Sequence, residues 1–257
     1  MSILDLDAVS VRYPGQPSLA LKGASLRVER GDFVVLTGRS GCGKTTLLSV
    51  AAGLIEPTDG GATLDGRNIA GPGADRAMVF QDDALFPWLT VAENVAFALR
   101  LRGIARDERV RRAVAVLDRV GLANAAHKRI WELSGGQRQR VGLARALAAE
   151  PNFLLMDEPL GALDALTRER MQGLLIDIWA SSGAGILMVT HGIEEALILG
   201  THVVVMAPGP GHIVNQFEFD FSQRVRDGEP IDLVKADPRF QAERARLSQA
   251  IFAGEIA

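Results

Sequence analysis

Phe33-Val34-Val35-Leu36-Thr37-Gly38-Arg39-Ser40-Gly41-Cys42-Gly43-Lys44-Thr45 decides the fold. Its first four residues form a short continuous apolar run, as a strand buried on both faces of a parallel sheet requires. The run enters a glycine-rich turn, and Thr45 to Ala52 then reads as a helix with Gly53 as its stop. Gly38 to Thr45 fits G-x-x-x-x-G-K-[ST] and lies where that motif must lie, between a strand and a helix. Glycines let backbone N–H groups turn inward around phosphate oxygens, and the helix N-terminus adds its partial positive charge. Gly38, Arg39, Ser40, Gly41, Cys42 and Gly43 are therefore expected to surround a phosphate, with Lys44 reaching the outer phosphates. The Thr45 hydroxyl is placed for Mg2+, and Thr46 is next in line for a phosphate contact. Lysine occurs only at 22, 44, 128 and 235, which makes a chance match rare. Cys42 reads as a small loop residue whose thiol is an alkylation handle.

Outward from this loop, residues 2–12 alternate apolar and polar side chains and read as a hairpin strand, followed by a second near Ala24 to Val28. Further strands are expected at Ala62 to Leu64 and Ala77 to Phe80, separated by Gly71-Pro72-Gly73. After Pro87 the pattern turns helical. Val91, Val95 and Ala98, then Val110, Val114, Leu117 and Val120, recur at helical spacing, and the arginines among them read as a solvated face. From residue 153 the order is strand (153–157), helix (about 164–180), strand (186–190), helix (193–199) and strand (202–207), an alternation that predicts a parallel α/β sheet. The stretch 84–150 is then a helical insertion. The tail from Phe221 is charged, ends in a helix around Pro238 to Ile251, and is too short for a separate regulatory domain.

Composition sets the outer limits. With 257 residues, 47% hydrophobic and 23% charged, the chain can bury a sizeable core, and neither disorder nor a coiled coil fits. The net charge of −3 offers no bulk electrostatic reason to bind nucleic acid, though a local basic patch stays open. A single cysteine excludes an intrachain disulfide and a multi-cysteine metal site. No apolar run approaches the ~20 residues of a membrane helix, and the N-terminus lacks a basic-then-apolar leader. A soluble, cytoplasmic chain is expected, with any membrane role held through a partner.

Phe153-Leu154-Leu155-Met156-Asp157-Glu158-Pro159 reads as a buried strand delivering two acids at its C-terminal end, the edge where open α/β sheets bind ligands. Asp157 is the natural Mg2+ partner, directly or through water, and Glu158 can polarise a water for attack on a γ-phosphate. The competing reading is two acids capping the helix after Pro159. Leu133-Ser134-Gly135-Gly136-Gln137 precedes a helix expected over Gln139 to Ala149 and offers a second anion site. One nucleotide already has a cradle, so this second site suits a nucleotide held by another subunit; a plain cap by Ser134 is the alternative.

In their order these motifs resemble the ATP-binding subunits of the ABC transporter family. Gly38 to Thr45 is similar to the Walker A motif, Gln81 to the Q-loop, Leu133 to Gln137 to the signature, and Leu154 to Glu158 to Walker B. Gly161-Ala162-Leu163-Asp164 resembles the D-loop, His191 the switch histidine, and Tyr13 the aromatic that stacks on adenine. The resemblance covers about residues 3–215. It implies a P-loop NTPase (RecA-like) core with an N-terminal antiparallel β subdomain and an inserted α-helical subdomain. Within one domain, 1–83 and 151–220 would form the core and β subdomain, 84–150 the helical signature subdomain, and 221–257 a short extension. Two copies would bind two ATP head to tail, each between the Walker A of one and Ser134, Gly135, Gly136 and Gln137 of the other, with Asp164 nearby. Glu158 would be the general base, His191 would hold the γ-phosphate and attacking water, and Gln81 would sense Mg2+ and the membrane partner.

Gly71 to Arg76, Phe80-Gln81, Leu85-Phe86-Pro87-Trp88, Ile130-Trp131-Glu132 and Pro208-Gly209-Pro210-Gly211 resemble the nitrate/sulfonate/taurine importer class. That class implies permease subunits, a separate substrate-binding protein, and a place on the cytoplasmic face of the inner membrane, held peripherally through the permease. Leu85 to Trp88 would lie at the permease interface, with burial in the core as the alternative. Gly192 departs from the family, where many relatives place Asp. Two other classes fit the motifs less well. A soluble ABC-type ATPase acting on nucleic acid would carry long coiled coils or two cassettes, and a plain P-loop kinase or GTPase would lack the pentapeptide at Leu133.

Overall fold

The computed structural model describes residues 2–82, 84–161 and 163–253. Its elements run β1 (Ile3–Val11), β2 (Leu21–Glu29), β3 (Phe33–Gly38), α1 (Lys44–Ala52), β4 (Asp59–Leu64), β5 (Arg67–Asn68) and β6 (Arg76–Val79). The helical stretch holds α2 (Val91–Val95), α3 (Phe97–Leu101), α4 (Arg106–Arg119) and α5 (Gly135–Ala148). Then follow β7 (Phe153–Asp157), α6 (Ala165–Ser182), β8 (Gly185–Val189), α7 (Ile193–Leu199), β9 (His202–Ala207) and β10 (His212–Glu218). The chain closes with α8 (Phe221–Arg226), α9 (Ile231–Ala236) and α10 (Pro238–Ala253).

Two sheets organise these elements. A four-stranded antiparallel sheet runs β2-β1-β4-β5 and a six-stranded sheet runs β10-β9-β3-β8-β7-β6. In the second, β9, β3, β8, β7 and β6 are parallel, and every residue of β3, β7 and β8 is buried, the burial on both faces that their unbroken apolar runs foretold. The expected α/β class and mixed architecture are therefore present. One buried cluster lies between this sheet and α6, α7 and the C-terminal helices, and a second lies between it, α1 and the antiparallel sheet. A third is confined to residues 85–148, where Val91, Val95, Leu117 and Val141 meet.

Several local expectations shift. In β1 the alternation breaks at Ala8, whose φ of +48° accompanies a bulge, so that Val9, Ser10 and Val11 are all buried. In α4 the buried stripe runs through Ala113, Leu117 and Val120 rather than Val110 and Val114, which are 42% and 36% exposed. Ala113 is small enough to sit against the neighbouring helices, and a count weighted toward large apolar residues passes over it. Of the arginines there, Arg112 pairs with Glu108 at 2.6 Å, while Arg119 donates to Ser181 Oγ at 2.8 Å and ties α4 to α6. Strand β10 and helices α8 and α9 had no expectation. Phe221, Phe240 and Leu247 are buried in the main cluster, so the charged tail is seated on the core. Its polar side chains serve that packing: Arg224 binds Glu229 at 2.7 Å and Asp237 at 2.6 Å.

Candidate nucleotide site

The site is a consequence of strand register. Leu36 of β3, Val189 of β8 and Asp157 of β7 stand in one row, because Val189 pairs with both of the others. One residue further along each strand brings Thr37, Thr190 and Glu158 to the C-terminal edge, followed by Gly38 and His191. Backbone bonds hold this edge: Glu158 N–H donates to Val189 O at 3.0 Å and Thr190 N–H to Leu36 O at 3.1 Å.

The loop after β3 requires its glycines. Gly38 lies at φ +143°, and a Cβ there would fall 2.3 Å from Met206 O. Gly43, at φ +88°, would place one 2.5 Å from Leu21 Cδ2. Lys44 is only 6% exposed, and its ammonium donates to Gly38 O at 2.8 Å and Arg39 O at 2.9 Å, folded over the loop it follows. Cys42 is buried in the core, which corrects its reading as an accessible thiol, and its N–H already donates to Arg39 O at 3.3 Å. The tight turn leaves that side chain nowhere to go but inward.

Thr45 Oγ1 donates to Asp157 Oδ1 at 3.1 Å, joining the loop to the first acid. Burial pushes the Asp157 carboxyl above its ordinary value, against the pull of the Thr45 hydrogen bond. Two hard oxygen donors this close fit a small oxygen-loving cation such as Mg2+. Glu158 stands at φ +43°, strained for a non-glycine residue, and its Oε2 lies 3.2 Å from His191 Nδ1. Tyr13 OH meets Thr46 Oγ1 at 3.0 Å.

A cleft of about 610 Å³ gathers Tyr13, Ser40, Gly41, Gly43, Lys44, Thr45, Thr46, Gln81, Glu158 and His191. Gly38, Arg39 and Cys42 form the loop behind it, and Asp157 lies beneath, bonded to Thr45. The rest of the expected site stands elsewhere. Helix α5 begins at Gly135, four residues before the expected Gln139, so Gly135, Gly136 and Gln137 form its first turn. Ser134 caps it, taking the Gln137 N–H at 3.3 Å, while Gln137 Oε1 accepts the Ser134 N–H at 3.0 Å. The plain cap is thus realised, and it leaves the Gly135 and Gly136 N–H groups without an intrahelical acceptor. Periodicity missed this start because two glycines carry no side chain to count. Asp164 caps α6 through Thr167 N–H at 3.0 Å, a bond that draws its carboxyl below the ordinary value. Ala162 of the same motif lies outside the described residues.

Sequence reading also passed over Ala20 and Thr190, and took Gly211 only as part of a class motif, not as part of the site. Gly211 donates to Ala20 O at 3.0 Å and accepts from Lys22 N–H at 2.9 Å, and a Cβ on it would fall 2.3 Å from Cys42 O. The loop is therefore braced from behind by the turn before β10, and the only trace in sequence was a glycine after Pro210. Leu85 is buried in the helical cluster, Phe86 is half-buried against Phe97 at 4.5 Å between ring centroids, and Trp88 is 69% exposed. Burial thus places Leu85 in the core and leaves Trp88 at the surface.

Comparison with known proteins places this geometry. A sequence model of the family described as ABC transporter matches residues 21–161. The chain is 65% identical over 257 residues, all of both chains, to the taurine import ATP-binding protein TauB of Mesorhizobium japonicum. It is 55% identical over 242 residues, 93% of each, to the protein of that name from Burkholderia pseudomallei. Among solved structures it resembles the dimeric post-hydrolysis state of the ATP-binding cassette MJ0796 bound to ADP and Pi, at 32% identity and a TM-score of 0.75, covering 84% of this chain and 98% of that one.

Proposed function

The chain belongs to the ABC transporter family, and from that premise we propose that it is the ATP-hydrolysing subunit of an importer for taurine or a closely related sulfonate. The observation that carries the catalytic half is the convergence of Lys44, Thr45, Asp157, Glu158 and His191 at one sheet edge. The cargo rests on likeness to the two taurine import proteins.

Hydrolysis assigns each side chain a task. Binding of ATP draws the Lys44 ammonium from the loop carbonyls to the β- and γ-phosphate oxygens. Tyr13 stacks on the adenine, and Ser40 to Thr46 enclose the phosphates with backbone N–H groups. Thr45 and Asp157 would hold Mg2+, with Gln81 alongside; the chemistry the ion supplies when bound is neutralisation of charge on the β- and γ-phosphates. Glu158 takes the proton from the attacking water as the water oxygen bonds to the γ-phosphorus and the bond to the ADP oxygen breaks. His191, held to Glu158 through Nδ1, keeps Nε2 for the γ-phosphate or that water.

The exposed start of α5 completes the site only from a second copy, whose Ser134 to Gln137 would close on the γ-phosphate in a head-to-tail dimer. Asp164 then lies at the dimer seam. Residues 84–150 would turn as one body, having their own buried cluster. The apolar groove of Leu54, Phe80, Phe86, Phe97 and Leu101, with Trp88 beside it, would receive the permease. No helix among the described residues is long and apolar enough to cross a membrane. The subunit would therefore reach the cytoplasmic face of the inner membrane through the permease, and the substrate-binding protein only indirectly. Growth of a deletion strain on limiting taurine, other alkanesulfonates, sulfate or nitrate tests the cargo. Loss on taurine, restored by the wild type and not by Lys44→Ala, supports it; loss on another solute alone replaces it.

A further inference from the structure

The turn Thr190-His191-Gly192 leads from β8 into α7, and the side chain packed behind it is Glu195, a carboxylate only 6% exposed. Glu195 is the third residue of α7, the position from which a glutamate reaches back to the N–H of the capping residue. The cap here is Gly192, which has no side chain to offer. Its N–H donates instead to Thr190 Oγ1 at 3.0 Å, and the Thr190 hydroxyl stands beside the Glu195 carboxylate and favours its charged form. A Cβ on Gly192 would lie 3.2 Å from Glu195 Cβ and 3.9 Å from Glu195 Cδ, so the glutamate packs against the residue that follows the histidine. Thr190 is buried as well, and its N–H is anchored on Leu36 O of the strand that feeds the phosphate loop.

Both neighbours of His191 thus meet behind it, with Gly192 N–H on Thr190 Oγ1 and Glu195 packed against Gly192. Burial pushes the Glu195 carboxyl above its ordinary value, and the Thr190 hydrogen bond with the charges of Arg168 and His191 acts the other way. A glutamate that served only to start α7 could do so from water, where the helix-end charge is met without desolvation.

We propose that Glu195 is a positioning residue for hydrolysis: packed behind Gly192 and beside Thr190, it clamps the 190–192 turn so that the His191 imidazole stays on Glu158 and in the cleft. Its catalytic consequence rests on the ATPase reading above, while the clamp itself rests on the Gly192–Thr190 hydrogen bond and the burial of Glu195 against Gly192. The test uses the full chain as Glu195→Ala, Glu195→Gln, Thr190→Val, His191→Ala and the His191→Ala/Glu195→Ala double variant. Steady-state phosphate release gives kcat and KM, and the imidazole C–H resonance of His191, assigned by its loss in His191→Ala, gives a second readout.

Removing the buried side chain behind Gly192 lets the turn shift, so Glu195→Ala lowers kcat by about tenfold or more with KM within about twofold. Glu195→Gln, which fills the same space behind Gly192, keeps most of the rate, and Thr190→Val, which removes the acceptor of Gly192 N–H, reproduces the loss. In the His191→Ala background Glu195→Ala subtracts nothing further. The His191 resonance moves in Glu195→Ala and Thr190→Val and stays in place in Glu195→Gln. An equal fractional loss with and without His191, or an unchanged kcat and an unmoved resonance, overturns the proposal. If the wild type itself releases no phosphate, the ATPase reading falls, and the resonance still decides the clamp. If Glu195→Ala fails to fold, Thr190→Val and Glu195→Gln decide it.

Discussion

Glu158 combines a strained backbone with a reactive side chain, and the two can be separated by substitution. Its φ of +43° places it in the left-handed region, which costs an L-residue about 1–2 kcal/mol that glycine does not incur. Glycine loses about 0.4–1 kcal/mol through the greater freedom of its unfolded chain. The difference leaves Glu158→Gly more stable than Glu158→Ala by about 0.5–1 kcal/mol, or about 1–4 °C in Tm for a domain of this size. Both variants lack the carboxylate, as does the isosteric Glu158→Gln, so all three should lose about 10²–10⁴-fold in kcat, equivalent to about 3–5 kcal/mol of barrier. Glu158→Gln, which keeps the same backbone strain, should retain the wild-type Tm, bind ATP and accumulate as a dimer. Thermal unfolding, phosphate release and size-exclusion chromatography with ATP read these outcomes. A Glu158→Ala variant as stable as Glu158→Gly would refute the strain argument. A Glu158→Gln variant with near wild-type turnover would refute the assignment of the base.

Further expectations bear on the remaining parts. Lys44→Ala removes the ammonium that meets the phosphates and leaves Gly38 O without its 2.8 Å partner; ATP affinity by calorimetry should fall at least about tenfold. Asp157→Asn tests the buried acid. Because its carboxyl is raised in the fold, the cost of charging it is absent below its ordinary value of 3.8 and grows as pH rises through the folded value. The variant should therefore gain Tm over wild type at neutral pH and match it near pH 3. Leu117→Ala, in the fully buried stripe of α4, should cost about 2–5 kcal/mol, whereas Val114→Ala on the exposed face should shift Tm little. Trp88→Ala should leave Tm and basal phosphate release unchanged and reduce taurine-dependent growth, as expected of a side chain reserved for a partner.

What could be read from sequence followed from how many residues cooperate in each signal. Strands β3, β7 and β8 announced themselves as apolar runs because burial on both faces leaves no polar position to interrupt them. The motifs were legible for a related reason: positive φ and the close approach of Met206 O and Leu21 demand glycine at Gly38 and Gly43, and that demand is visible residue by residue. The face of α4 was misplaced because Ala113 contributes to burial by being small. Strand β10 carries Asn215, Gln216 and Glu218 at the sheet edge, so half its pattern is polar and no periodic run marks it. The tail read as charged because Arg224, Glu229 and Asp237 are conspicuous, yet those charges satisfy one another while Phe221 and Phe240 do the packing. Glu195 was invisible for a deeper reason, since nothing in Ile193-Glu194-Glu195 distinguishes the buried acid from its exposed neighbour.

The order of strands explains why a clamp at Glu195 can matter to chemistry at Glu158. Strand β8, which carries His191, lies between β3, which feeds the phosphate loop, and β7, which carries the acids. Any displacement of the 190–192 turn is therefore felt on both sides at once, through Leu36 O on one flank and Glu158 N–H on the other. On the proposed reading the nucleotide's phosphates lie against the first flank and the attacking water against the second. A clamp behind the middle strand can thus set both distances together. It follows that Glu195→Ala should affect turnover more than nucleotide affinity, because the loop glycines and Lys44 hold the phosphates without reference to β8, whereas the alignment of water with Glu158 depends on it.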